Sequence, residues 1–305
     1  MKVEKKNKMV FSSDQIHLLS GRVFIPEGEP KGIFQIIHGM REHIGLYEDF
    51  MQQIAEEGYI VFGYDQLGHG HTVQSEDEYG YISKNNGWKY LVNDAAIFAK
   101  DVKRQYGNDL PYTLMGFSMG SFIVRINASE FNWQDKLIIM GTGGYVPQAE
   151  PGLAMIKTIK NLFGDHYVSD VLETLVFGTY NEKFPDCGEL GWLSSLEEKR
   201  KLYENDPLCS FHFTVAAMED LIQLSVECNR PQWYSSIDKS KPILLISGSE
   251  DPLGEYGEGI TRIYDQLREK GANVDMKLYQ GCRHAILEDS CRNEVINDIK
   301  SFLEK

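Results

Sequence analysis

The stretches "GIFQIIHG" (residues 32–39), "YIVFGYD" (59–65), "PYTLMGFS" (111–118), "KLIIMGTGG" (136–144) and "KPILLISGSED" (241–251) each carry a nearly unbroken apolar run. A strand with one wet face alternates apolar with polar residues, so an unbroken run marks a strand covered on both faces. Helical periods fill the gaps between these runs. "LYEDFMQQIAEEG" puts Leu46, Phe50 and Ile54 on one face and stops at Gly58, and Gly87 to Tyr106 turns Leu91, Ala95, Phe98, Ala99 and Val102 inward. Strand and helix in alternation require a mostly parallel central sheet flanked by helices. "VFIPEG" and "NVDMKLYQG" read as further strands, and the last helix aligns Val295, Ile296, Ile299, Phe302 and Leu303.

The rhythm stops after Gly144 and resumes near Asp238. Segments such as "LAMIKTIKNLF" and "SDVLETLVF" lie between, with helical spacing and no strand signal. The expected organisation is an α/β core in two parts, residues 1–142 and 238–305, with a helical cap at 143–237 inserted between them. Most of the cap's apolar residues (Leu153, Ile156, Ile159, Leu162, Phe163, Val171, Leu172, Leu175, Val176, Phe177) are expected to pack it onto the core, and a minority to line a tunnel.

Composition removes several function classes. The formal charge is −14, from 31 basic and 45 acidic residues, and such a surface repels nucleic-acid backbones. No window reaches the roughly 18 apolar residues that cross a bilayer, and "MKVEKKNKMVF" lacks the apolar segment of a secretory signal. The five cysteines are an odd number at irregular spacing, which argues against a disulfide framework and for a reducing cytoplasm.

The chemistry concentrates in "GFSMG", where Gly116 and Gly120 flank Ser118 between a buried strand and a helix. Glycine-rich turns are common, but a Gly-x-Ser-x-Gly turn in this setting presents the serine hydroxyl above the sheet, beside free helix N–H groups. A serine needs a base, and in this turn type the chain order is Ser, acid, His. Of the histidines downstream, His166 and His212 fall in the helical stretch and read as packing or surface residues, whereas His284 follows the last strand in "YQGCRHAILED". The acid is expected after the preceding strand: Asp251, before Pro252, where a turn can fix a short carboxylate, with Glu250 as the fallback. An oxyanion requires preorganised donors. The backbone N–H groups of Met119 and of Met40, the latter next to Gly39, are the candidates, and His38 is expected to brace that loop. Two groupings suggest a metal, Cys282 with His284 and Cys291, and His69 with His71. The first lacks the paired-cysteine spacing of structural zinc and the second reads as a loop beside the site, so no metal and no cofactor are expected.

Taken together, "HGMREHIGLYEDF", "YDQLGHGHT", "GFSMGS", "NDPLC", "SGSEDPLGEYG" and "LYQGCRHAILED" resemble the α/β-hydrolases of the monoacylglycerol lipase and lysophospholipase group, within the serine aminopeptidase S33-type hydrolases. The resemblance spans most of the chain. It implies Ser118 as nucleophile, His284 as base, Asp251 as orienting acid, Met40 and Met119 as oxyanion donors, and a cap over the site that follows the sixth strand of the α/β-hydrolase fold. It also implies hydrolysis of monoacylglycerol or lysophospholipid esters through an acyl-enzyme. The chain departs from the group's pattern at Leu46 and Leu67, where arginines are usual, and at Phe117, where histidine is common. A short-chain carboxylesterase, thioesterase or peptidase on the same scaffold stays open, as does a silent ligand-binding homologue. Dehalogenases and epoxide hydrolases place a carboxylate where Ser118 stands. The expected partner is a small acyl ester, with no nucleic acid and at most transient membrane contact through the cap; a homodimer is compatible with the sequence.

Overall fold

The computed structural model describes residues 2–305. Eight strands form one sheet in the order β1-β2-β4-β3-β5-β6-β7-β8. They are β1 (Val3–Phe11), β2 (Leu18–Pro26), β3 (Gly32–Ile37), β4 (Tyr59–Tyr64), β5 (Tyr112–Phe117), β6 (Lys136–Met140), β7 (Ile243–Gly248) and β8 (Val274–Tyr279). The β1–β2 and β2–β4 pairs are antiparallel and every other pair is parallel.

Every residue of β3, β4, β5 and β7 is buried, which is why their sequences carry no alternation. Successive side chains leave a strand on opposite faces, and both faces here meet apolar partners. Ile33 and Ile37 of β3 join one core, while Phe34 and Ile36 join the other. Along β7, Ile243 and Leu245 divide in the same way from Leu244 and Ile246. Helices α1 (Glu48–Glu56), α2 (Gly87–Tyr106) and α3 (Met119–Glu130) make the first crossovers. Near the other end of the chain, α9 (Glu258–Glu269) and α10 (Arg292–Leu303) complete the cover. Phe98 of α2, Ile123 of α3 and Leu267 of α9 fill one side, while Phe50 of α1 and Ile299 of α10 fill the other. Gln35 is the polar exception inside β3, with Nε2 donating to Ala95 O at 3.1 Å and Oε1 accepting from the Tyr112 hydroxyl.

Strand β1 escaped the sequence reading. Its "VEKKNKMVF" is mostly exposed, with no apolar face to reveal it. It pairs with β2 along its whole length, from Val3 opposite Pro26 to Phe11 opposite Leu18. Lysines on an outermost strand keep its open edge from recruiting another chain.

Between β6 and β7 the chain is helical: α4 (Ala149–Phe163), α5 (Asp170–Phe177), α6 (Glu197–Asn205), α7 (Val215–Cys228) and α8 (Pro231–Ser236). The Thr214 hydroxyl caps α7 by accepting from Ala217 N at 3.3 Å, and α4 ends at Gly164 with φ of 93°. Helix α7 packs on α3 and α2, and α4 packs on α7. The insertion is pinned at both ends by Arg125 of α3, whose side chain is fully buried. Arg125 donates to Thr142 Oγ1 and Gly143 O, each at 3.2 Å, and to Cys228 O at 2.6 Å and Asn229 Oδ1 at 2.9 Å. Its guanidinium also lies 4.4 Å from the centre of the Trp233 ring.

Candidate active site

Ser118 stands at the junction of β5 and α3 with φ of 53°, a left-handed conformation that costs energy in a residue other than glycine. The flanking glycines make the turn feasible. A Cβ on Gly116 would lie 2.2 Å from Gly120 O, and one on Gly120 would lie 2.1 Å from Ile37 O. No side chain fits at either position, so the Gly-x-Ser-x-Gly spacing follows from backbone against backbone.

His284 Nε2 lies 2.8 Å from Ser118 Oγ, and His284 Nδ1 lies 2.9 Å from Asp251 Oδ2. Asp251 is fully buried and accepts two further bonds, from Ser247 Oγ at 2.8 Å and from Leu253 N at 3.0 Å. A carboxylate only accepts, so His284 Nδ1 carries the proton and Nε2 is left to accept from the serine. Glu250 points elsewhere, 3.9 Å from Arg283 Nε. His212 bonds Glu173 at 2.6 Å and His166 stacks on Tyr81 with centroids 3.8 Å apart, and neither is hydrogen-bonded to Ser118. The His284 ring is packed by Phe117 at 4.8 Å and by Trp192 of the insertion at 4.9 Å. The insertion also grips the backbone of that loop, where His284 N donates to Trp192 O at 3.3 Å and Ala285 N to Leu193 O at 2.7 Å.

The loop after β3 comes close to the serine. A Cβ on Gly39 would sit 3.0 Å from Ser118 Cβ, the close approach that glycine was expected to permit there. The N–H groups on either side of Met40 are taken: Gly39 N donates to Glu42 Oε2 at 2.7 Å and Arg41 N to His69 Nε2 at 3.2 Å. Met40 N–H donates no hydrogen bond to any described residue. Met119 opens α3, where the first N–H groups have no intrahelical acceptor. His38 braces the loop. Its Nε2 accepts from Gln66 N at 3.1 Å and its Nδ1 donates to Gly39 O at 2.8 Å, and burial holds its pKa well below the ordinary histidine value.

Ser118, Met40, Met119 and His284 open on a cavity of about 1030 Å³, which Ile156, Leu172, Leu175, Val176 and Phe177 of the insertion also line. Leu153 packs inward instead. The expectation fails for Leu162, Phe163 and Val171, which are 72%, 62% and 66% exposed and do not line the cavity, although Phe163 stacks on Tyr167 with ring centroids 4.9 Å apart. Leu162 and Phe163 stand at the end of α4 and Val171 at the start of α5.

Cys282 and Cys291 are joined in a disulfide across the His284 loop, so a local pair exists despite the odd count; Cys187, Cys209 and Cys228 are free among the described residues. Among the described residues, His43, Asp206 and Cys209 bring ligand atoms within 4.8 Å of one another. Gly45 N donates to His43 Nδ1 at 3.2 Å, so Nε2 carries the proton given to Asp206 Oδ2 at 2.9 Å. Burial raises the Cys209 thiol pKa. The His43–Asp206 bond ties the loop after β3 to the segment after α6.

The model of the family described as serine aminopeptidase, S33 matches residues 28–291. The chain belongs to that family of α/β-hydrolases. Its relatives include the monoglyceride lipase of Mus musculus, 25% identical over 296 residues, with 92% of this chain and 85% of the relative covered. The monoacylglycerol lipase of Mycolicibacterium smegmatis is 23% identical over 287 residues, covering 92% and 91%. Among solved structures, a thermostable carboxyl esterase from Bacillus coagulans in complex with glycerol superposes with a TM-score of 0.91 at 28% identity, covering 98% of each chain. This α/β-hydrolase also holds residues that sequence reasoning passed over. Glu42, Tyr47 and Tyr203 form a buried cluster beside the Gly39 loop. A charged residue in "HGMREH", directly after a buried strand, was the available signal for Glu42. "KLYEN" gave none for Tyr203.

Proposed function

We propose that this α/β-hydrolase cleaves carboxylic esters through an acyl-enzyme on Ser118. The observation that carries the reading is the unbroken chain Ser118 Oγ–His284–Asp251, with contacts of 2.8 and 2.9 Å, at the floor of the cavity. His284 Nε2 takes the hydroxyl proton as Oγ attacks the ester carbonyl, and Asp251 orients the imidazole and stabilises its cationic form. The N–H groups of Met40 and Met119 receive the oxyanion. The alcohol leaves with the proton from His284, and water deacylates the serine by the reverse sequence.

The substrate is of the monoacylglycerol or lysophospholipid type. The apolar wall of Ile156, Leu172, Leu175, Val176 and Phe177 suits an acyl chain, at about 0.8 kcal/mol per buried CH₂. Two relatives carry the names monoglyceride lipase and monoacylglycerol lipase. The insertion, residues 143–237, acts as the cap, and its exposed Leu162, Phe163 and Val171 make transient contact with lipid surfaces that deliver substrate. A second reading, a carboxylesterase for shorter esters, has its own support in the 28% identity to the Bacillus coagulans carboxyl esterase.

Labelling by a fluorophosphonate probe tests the chemistry: wild type is labelled and Ser118→Ala is not. Wild-type esterase activity retained by purified Ser118→Ala would rule the mechanism out. A panel of monoacylglycerol, lysophospholipid, acyl thioester and short-chain esters then separates the two substrate readings.

A further inference from the structure

Three consecutive residues of the loop after β3 reach into the insertion. Arg41 Nε donates to Cys209 O at 3.2 Å, Glu42 Oε1 accepts from Tyr203 O–H at 2.8 Å, and His43 Nε2 donates to Asp206 Oδ2 at 2.9 Å. Glu42 is the centre of this contact. It is 2% exposed, and its Oε2 accepts from Gly39 N–H and from Tyr47 O–H, both at 2.7 Å. No lysine, arginine or histidine pairs with it among the described residues, so two phenols and one amide hold the carboxylate. The amide it holds immediately precedes Met40 in the chain, beside Ser118.

We propose that Glu42 is a positioning residue for the oxyanion donor Met40 N–H, and that Tyr203 makes this positioning depend on a docked insertion. The inference rests on the acyl-enzyme reading given above. Glu42 touches no reacting atom. It fixes the peptide before Met40 from one side, as His69 fixes Arg41 N–H from the other. Helix α6 supplies the bond to Glu42 Oε1, so withdrawal of α6 frees one carboxylate oxygen and loosens the loop.

The experiment compares Glu42→Gln, Glu42→Ala and Tyr203→Phe in the full chain, using a p-nitrophenyl ester and an alkyl trifluoromethyl ketone, whose adduct on the serine carries an oxyanion. Removing an oxyanion donor outright costs on the order of 10²–10³ in rate. Misplacing one is expected to lower kcat by about 10-fold to 100-fold in the Glu42 variants and about 3-fold to 10-fold in Tyr203→Phe. KM is expected to stay within about 2-fold, because ground-state binding does not use the oxyanion site. Inhibition by the ketone should weaken in proportion to kcat/KM across the set, a correlation that loss of packing alone does not produce. If Glu42→Ala does not fold, Glu42→Gln and Tyr203→Phe carry the comparison. Wild-type kcat in these variants, or a fall in kcat with unchanged ketone affinity, overturns the proposal while leaving the acyl-enzyme reading intact. A wild-type protein that fluorophosphonate does not label removes both.

Discussion

Gly120, in the first turn of α3, faces the carbonyl of Ile37 at the end of β3 so closely that an added Cβ would stand 2.1 Å from that oxygen. The contact sets the serine turn directly against the strand that launches the Met40 loop. Neither partner is a flexible side chain, so Gly120→Ala must displace backbone. Overpacking of this kind costs about 1–3 kcal/mol. The variant is expected to melt several degrees lower than wild type and to lose most esterase activity; a calorimetric scan and an ester assay read both.

Asp251 and Glu250 are neighbours in the chain, but only Asp251 is buried against His284. Asp251→Asn is expected to reduce kcat by up to about 10⁴, the loss seen when a serine triad keeps its shape but lacks its carboxylate. Glu250→Gln is expected to stay within about 2-fold, as a partly exposed substitution away from the reacting groups. Equal effects from the two variants would contradict this assignment of the acid.

The apolar wall of the cavity predicts a chain-length profile. For p-nitrophenyl esters from acetate to laurate, kcat/KM should rise with each methylene, with a ceiling of about 4-fold per step. A flat profile would show that the acyl chain is not bound along Ile156, Leu172 and Phe177.

Asp220 of α7 caps the start of α2, with Oδ1 accepting from Trp88 N–H at 3.0 Å and Oδ2 left without a partner. Burial raises its pKa to about 7, nearby Glu219 adds to the rise, and the Trp88 amide and Lys160 oppose it. The unfolded chain releases the same proton near pH 3.9. Between about pH 4 and 7 the folded state therefore holds a proton that the unfolded state has lost, and stability falls as pH rises through that window. Asp94, raised to about 6 by burial, adds a slope of the same sign. Melting temperatures from pH 5.5 to 8.5 should decline less steeply in Asp220→Asn than in wild type, with the Asp94 part common to both. Parallel curves would refute the assignment to Asp220.

Arg125→Ala should destabilise the protein by about 3–5 kcal/mol, from orphaned acceptors and a cavity. The acceptors include Gly143 and Asn229, at the two ends of the insertion, so proteolysis there should also quicken. Arg125→Lys is expected to rescue little, because an ammonium cannot reproduce the planar fork. Urea titration measures the loss, and a value below about 1 kcal/mol would mean the acceptors find other partners.

The sequence alone determined whatever depends on local patterning. Doubly covered strands require apolar runs such as "GIFQII" and "ILLISG", and helices in contact with them require a 3.6-residue stripe, so the sheet, its flanking helices and the helical gap were all legible. Ser118 was legible because its turn excludes any Cβ at Gly116 and Gly120, which forces a spelling that can be read. His284 and Asp251 followed from chain order and from loops placed after strands.

Only the tertiary structure decided the rest, and the reason is the same in each case: these features consist of pairings between positions far apart, without periodicity. Strand β1 is charged because an edge must repel other chains, and its partnership with β2 shows only in the register. Arg125 looks like a surface arginine until α3 is packed under α8. Tyr203 and Glu42 are 161 positions apart and meet only because the insertion folds back over the loop after β3. A chain can announce which faces must be buried, because water penalises every apolar residue left outside. Which buried hydroxyl meets which buried carboxylate is settled only when the layers close, since burial leaves each polar group dependent on whatever partner the packing brings.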